Sequence, residues 1–316
     1  VAGLSLGLGP LVGGLLTDTI GWAANFWLNV PVCLVAAIGA VLFVPESRAA
    51  RPRRFDPAGQ ILMLGLLAGA VGALIEGPEA GWSSSLVLTL AVLAVVCLAL
   101  FTVVERRVAE PLVDLRFFRS AAFSSSVLIA VMVFTVQGGC LFLVPLLLQG
   151  PFGYSALMTG ALILPMAAVL ALSSPVSGRL VGRRGTRPSL VIGGAAISVA
   201  SVMLVFISTG TPAWYLIIAF TMLGAGIGFI PPITTTAVAG LPLSQAGTAS
   251  GLASASRQVG VALGVAVAGL AASADDLRLT AASHPVFRLT AVLGLVVASL
   301  GVVSTTRWAR GTRHRL

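Results

Sequence analysis

Residues 85–107 read SLVLTLAVLAVVCLALFTVVERR. Positions 85–104 carry no charge, and then Glu105, Arg106 and Arg107 arrive together. A helix of about 20 apolar residues rises about 30 Å, the thickness of a bilayer's hydrocarbon core. The run lacks the alternation of a barrel strand and is too long for one. Trp82 stands just before it, which puts an amphipathic ring at one water–lipid boundary and guanidinium groups at the other. The stretch reads as one complete membrane crossing.

The pattern recurs along the chain. Candidate spans are 1–17, 25–44, 57–75, 85–104, 121–148, 157–178, 188–208, 213–234, 248–273 and 286–306. The expected fold is therefore an all-α polytopic membrane protein with about ten transmembrane helices. Composition agrees: of 316 residues, 57% are hydrophobic and 9% charged, whereas soluble domains run near 25% charged. A water-soluble fold would lack the polar surface to cover such a core.

All basic residues are Arg, and the net charge is +9. The arginines cluster between apolar runs, a pattern of membrane topology rather than of nucleic-acid binding. If the first span runs outward, the inner connectors hold Arg48, Arg51, Arg53 and Arg54, then Arg106, Arg107, Arg116 and Arg119, then Arg179, Arg183, Arg184 and Arg187. The tail adds Arg307, Arg310, Arg313 and Arg315. Outside lies Arg278, with Arg288 at the tenth span; the inner connector 239–247 has no Arg and is the weak point. Trp22, Trp82 and Trp214 fall at outer ends and Trp308 at the last inner end. The expected C-terminus is cytoplasmic.

The ten acids all stand at span edges or in connectors. Proton transport needs a titrating group inside the protein, and His284 and His314 lie in a connector and the tail. Arg257, with Gln258 beside it, falls within the ninth span. Either it faces a cavity or the other bundle, or it reaches the inner headgroups along its own stem. Cys33, Cys97 and Cys140 sit in apolar runs without metal-ligand spacing, so they read as small hydrophobes. GAGIGF at 224–229 lacks the strand and third glycine of a dinucleotide loop. No catalytic cluster appears, so no enzyme activity and no metal is expected.

Small residues let membrane helices approach closely. The first span carries Gly3, Gly7, Gly9, Gly13 and Gly14 with Pro10, and the ninth carries Gly247, Gly251, Gly260, Gly264 and Gly269. Both read as helix contact faces. Pro165 and Pro175 in the sixth span and Pro231 and Pro232 in the eighth permit bending.

Four passages carry a family resemblance. GLSLGLGPLVGGLL (3–16) resembles the antiporter motif in the fifth helix of drug–proton antiporters of the major facilitator superfamily. WAANFWLNVP (22–31) resembles the start of their sixth helix, PLVDLRFFRSAAF (111–123) the segment before the ninth helix of the fourteen-helix branch, and GTASGLASASRQVGVALGVAVAG (247–269) that branch's thirteenth helix. The loop GRLVGRRGTR (178–187) is similar to the superfamily's loop motif through Gly178, Arg183, Gly185 and Arg187, but Gly182 stands where an Asp is usual.

The resemblance implies a chain lacking its first four helices. Residues 1–44 would be the last two helices of the N-terminal bundle, 45–56 a cytoplasmic loop, 57–104 an inserted two-helix hairpin and 105–120 a second cytoplasmic loop. Residues 121–306 would be the C-terminal six-helix bundle, built as inverted repeats 121–208 and 213–306, and 307–316 a basic cytoplasmic tail. Spans 1–17, 157–178 and 248–273 would form the seam between bundles, and 121–148 and 213–234 would line the cavity. The cavity candidates are Met132, Phe134, Gln137, Phe142 and Gln149, with Phe220, Met222 and Phe229; Arg257 and Gln258 are polar candidates between bundles. Adaptable Met and aromatic contacts suit amphipathic drugs or antibiotics.

The implied activity is efflux by alternating access in exchange for protons, powered by the proton gradient without a cofactor. The proton-carrying carboxylate would lie in the absent helices. A metabolite carrier and a non-transporting truncated scaffold are the alternatives. Arg, Ala and Gly usage points to a high-GC bacterial gene and so to the bacterial cytoplasmic membrane.

Overall fold

The computed structural model describes residues 2–43, 56–108, 121–230, 243–272 and 276–303. It contains ten helices among the described residues: α1 (Ala2–Thr19), α2 (Ala24–Phe43), α3 (Pro57–Ala80), α4 (Ser85–Glu105), α5 (Ala121–Gln149), α6 (Ala156–Arg184), α7 (Thr186–Val205), α8 (Ala213–Phe229), α9 (Leu243–Ala272) and α10 (Asp276–Val303). Eight of them are long and apolar enough to cross a membrane. α8 is apolar but shorter over its described length, and glycine-rich α1 is not among the eight. The loop 45–55, most of 105–120, Pro231, Pro232 and the tail 307–316 lie outside the described residues.

Helix ends differ from the apolar runs where polar residues extend a helix past the lipid. α6 runs on to Arg184, and Gly185, at φ 78°, is the single residue before α7 begins at Thr186. The left-handed φ suits glycine, which lacks a Cβ to clash. The expected loop 178–187 is therefore mostly helix. α10 starts ten residues before the expected 286, and His284 lies within it, half-buried, its Nε2 3.2 Å from the Ile207 carbonyl oxygen. Hydropathy sees only the part of a helix that lipid covers.

Helices α5–α10 share one core, with Leu143, Ile197, Phe220 and Phe287 fully buried. Their packing is symmetric. α5 packs on α9 and α8 on α6; α5 meets α10 and α8 meets α7; α7 packs on α10. Exchanging α5–α7 with α8–α10 maps these pairs onto one another.

Glycine makes the closest contacts. A Cβ on Gly264 of α9 would lie 2.2 Å from the Thr135 carbonyl oxygen of α5. One on Gly224 of α8 would lie 2.1 Å from the Met166 carbonyl oxygen of α6. Where the repeats meet, a Cβ on Gly194 would lie 2.6 Å from the Gly294 oxygen, and one on Gly294 would lie 2.8 Å from the Gly194 oxygen. Lipid gives helices no hydrophobic reason to associate, so backbone approach and interhelical hydrogen bonds do that work. Ser198 Oγ donates to the Ala291 oxygen at 3.0 Å, and Ser177 and Ser189 both donate to the Phe229 oxygen, at 2.8 and 2.6 Å.

The outer faces are apolar. Phe26, Trp27, Val41 and Phe43 on α2 are exposed, as are Val92 and Val95 on α4. Such a surface would aggregate in water and suits lipid. Trp22, Trp82 and Trp214 are exposed and stand in, or just after, the turns assigned to one side.

The hairpin α3–α4 packs on α9 and closes at its base on two buried carboxyls. Asp56, 8% exposed, caps α3 by accepting from Gly59 N at 2.9 Å; Glu105 of α4 is 4% exposed. A Cβ on Gly59 would meet both, at 2.4 and 2.8 Å. Both acids stand at span edges, as expected, but their burial was not legible in sequence.

Gly264→Ala should destabilise the protein by about 1–3 kcal/mol through overpacking. Gly269→Ala, where an added Cβ meets nothing within 4 Å, should be neutral or slightly stabilising. Thermal unfolding of the two purified variants in detergent reads the contrast.

Candidate functional site

The first-span glycines meet α6. A Cβ on Gly14 would lie 2.4 Å from the Ala156 carbonyl oxygen, and one on Gly160 would lie 2.5 Å from the Pro10 carbonyl oxygen. The two backbones are in van der Waals contact along this seam, and any side chain would separate them. Gly3 and Gly7 lie earlier in α1. Gly9 is open on its own face, and Gly13 looks toward Asn25 of α2, with 3.5 Å from an added Cβ to the Asn25 Oδ1.

A polar clasp covers the end of the seam. Asp18 Oδ2 accepts from Leu157 N at 2.8 Å, bonding one helix to a residue 139 positions away. Ser155 Oγ accepts from Met158 N at 3.2 Å. Together they satisfy two of the orphan donors at the start of α6, where a carboxylate also meets the positive end of the helix dipole. Thr17 donates to the Gly13 oxygen at 2.7 Å and accepts from Asn25 Nδ2 at 2.8 Å, linking α1 to α2.

Beside this seam opens a cleft of about 250 Å³, bordered by Pro10, Gly13, Gly14 and Thr17 of α1, Asn25 of α2, Pro145 and Gln149 of α5, and Thr159 of α6. A second cleft of about 460 Å³ adjoins it across Leu141, Pro145 and Gln149, and adds Phe142, Leu146, Ala272 and Leu279. Among the described residues, no charged side chain borders either. Thr159 is 4% exposed and its hydroxyl has no hydrogen-bond partner. A buried unpaired polar group costs about 1–3 kcal/mol.

The structure distributes the sequence candidates unevenly. Gln149 borders both clefts and Phe142 the second. Gln137 is buried, next to Gly138 and Gly139, where α5 meets α9. Met132 packs against the core. Phe134 lies under the Arg257 guanidinium, 5.9 Å from ring centroid to Cζ, and Arg257 also donates to Ser254 Oγ at 3.1 Å; both Arg257 and Gln258 are exposed. That stack is a cation–π contact on the α5–α9 face.

None of the α8 candidates borders either cleft. α8 wedges between α6 and α7; this turns Phe220 into the core, 2% exposed, and leaves Met222 exposed on the other side. Phe229 contributes its carbonyl to the serine pair. In the loop motif, Arg183 and Arg187 are exposed, as are Gly178 and Gly185. Asn25, Thr17 and Thr159 were missed, because nothing local in the sequence ties the start of α2 to α6.

Ten packed apolar helices with a symmetric six-helix core define a multi-pass α-helical membrane protein. The chain belongs to the Major Facilitator Superfamily, whose family model matches residues 1–265. It is 36% identical over 270 residues to the multidrug resistance protein Stp of Mycobacterium tuberculosis, covering 85% of this chain and 50% of that protein. It is 36% identical over 278 residues to the tetracenomycin C resistance and export protein of Streptomyces glaucescens (85% and 51%). It is 35% identical over 274 residues to the puromycin resistance protein of Streptomyces alboniger (84% and 54%). The chain thus spans about half the length of the curated relatives it matches. Its fold is similar to that of the crystal structure of the peptide transporter POT, with TM-score 0.56 and 17% identity over 94% of this chain and 65% of that one.

Removing the clasp should loosen the seam. Asp18→Ala should cost about 0.5–2 kcal/mol, the usual loss for a helix cap, and Asp18→Asn, which keeps an acceptor, less. Melting of the purified variants orders them wild type, Asn, Ala.

Proposed function

We propose that the protein exports amphipathic drugs or antibiotics across the bacterial cytoplasmic membrane by alternating access, in exchange for protons. It moves a small molecule rather than transforming it. The observation that carries this reading is the α1–α6 seam: two helices in backbone contact through Gly14 and Gly160, with an uncharged cleft alongside. A glycine contact can part and re-form without side chains to repack, as a transporter's moving interface requires. Relatives named for multidrug, tetracenomycin C and puromycin resistance support drugs as the cargo class.

The arginine clusters support a cytoplasmic C-terminus. Proton exchange is an energetic reading: export against a gradient needs a source, and no described residue bordering the clefts titrates near neutral pH. The buried acids among the described residues are Asp56 and Glu105, at the hairpin base.

In cells expressing the protein from its full gene, puromycin should accumulate less than in empty-vector cells, and a protonophore should erase the difference. Export that persists at full rate with the protonophore would contradict proton exchange.

A further inference from the structure

We infer that Ser254, Arg257 and Gln258 on α9 form an oxyanion-binding site inside the membrane, built against Phe134 of α5. The oxyanion is a carboxylate or a group like it, brought by the cargo or by another part of the full-length protein. In the first case the site rests on the export reading and narrows the cargo to molecules with an anionic group.

Depth is set by the packing of α9 on α5. A Cβ on Gly260 would lie 2.6 Å from the Val131 carbonyl oxygen and 2.8 Å from Phe134 Cβ. Arg257 stands one turn before Gly260, and its Cζ lies 5.9 Å from the centroid of the Phe134 ring. Phe134 is near the middle of α5 (Ala121–Gln149), about 20 Å from either end at about 1.5 Å per residue. The guanidinium is therefore held at mid-bundle on an aromatic face, rather than carried along its stem to the inner headgroups.

Nothing nearby in the chain balances that charge. From Leu115 to Ala274 the sequence contains no Asp or Glu, so helices α5–α9 carry no carboxylate. Arg257 instead donates to Ser254 Oγ at 3.1 Å and rests on the Phe134 ring. A cation within a span is costly, and such residues pair with an opposite charge or mark the path of a substrate.

The groups around Arg257 are hydrogen-bond donors. A guanidinium has five N–H groups, and the Ser254 bond engages one. Ser254 accepts that bond and keeps its own O–H to donate. Gln258 adds an amide N–H pair. Residues three and four apart share a helix face, and all three side chains are exposed. Gly251 and Ala255 on the same helix are exposed too, and a Cβ added at Gly251 would meet nothing within 4 Å. That leaves room for a planar group beside the guanidinium. Carboxylates fit such a fork with two parallel, charge-assisted bonds.

The test uses the full-length protein, purified in detergent, and two probes with one ring system: 2-naphthoate, an anion near neutral pH, and uncharged 2-naphthamide. Equilibrium binding and thermal unfolding are measured for wild type, Arg257→Gln and Arg257→Lys. If the cargo brings the oxyanion, wild type should bind naphthoate about tenfold more tightly than the amide, the scale of one hydrogen bond to a charged group. Arg257→Gln should then bring the two within about twofold, and Arg257→Lys should keep part of the preference. If a carboxylate of the protein fills the site, wild type should not discriminate between the probes. Arg257→Gln should then melt below wild type, because it strands that carboxylate, and Arg257→Lys should recover most of the loss. Should Arg257→Gln not fold, Ser254→Ala and Gln258→Leu keep the charge, remove one donor each, and should lower the same two quantities more modestly.

A preference for naphthoate that survives Arg257→Gln would overturn the site. So would a wild type without preference whose Arg257→Gln variant melts no lower. Neither result touches the export reading, which stands or falls on wild-type puromycin accumulation.

Discussion

In the hydrocarbon of a bilayer no water is present to satisfy a backbone N–H or C=O, so each crossing must close its own hydrogen bonds as a helix. That constraint sets the rest of this molecule. It makes the apolar runs about as long as the lipid is thick and leaves charge to the turns. It also removes hydrophobic attraction as the force joining the helices. Association then depends on how closely backbones approach, and here close approaches fall at Gly14, Gly160, Gly194, Gly224, Gly264 and Gly294, among others.

These contacts have two roles. Within α5–α10 they lock a symmetric bundle: Gly224 against α6 and Gly264 against α5 hold corresponding pairs, with Gly194 and Gly294 between the repeats. Between α1 and α6 they make a smooth seam whose polar fastening is concentrated at one end, where Asp18 reaches Leu157. The clefts open beside that fastening. Such an interface would part by breaking a few hydrogen bonds rather than by unlocking side chains.

Much of the fold was legible in sequence because lipid enforces a simple code. The run 85–104 emerges as a helix one residue longer, and the spans beginning at 57 and 121 start where the apolar pattern starts. The glycine motif of 3–16 was readable as a contact face. Its partner, Ala156–Gly160, was supplied only by family resemblance. Hydropathy does not say which helix neighbours which, so the links from Asp18 to Leu157 and from Asn25 to Thr17, the burial of Asp56 and Glu105, and the inward turn of Phe220 all required three-dimensional packing. The end of α6 and the start of α10 were missed for a different reason: arginine, serine and histidine continue a helix beyond the lipid as readily as they end one.

Everything rests on the direction of threading, and surface labelling measures it. Cys33, Cys97 and Cys140 would be replaced by alanine, and single cysteines placed by Ser83→Cys, in the α3–α4 turn, and Arg184→Cys, at the end of α6; both positions are exposed. A membrane-impermeant maleimide applied to intact cells should label the cysteine at 83, and reach the one at 184 only after the membrane is opened. Labelling of position 184 from outside, with 83 protected, would contradict the threading and the site built on it.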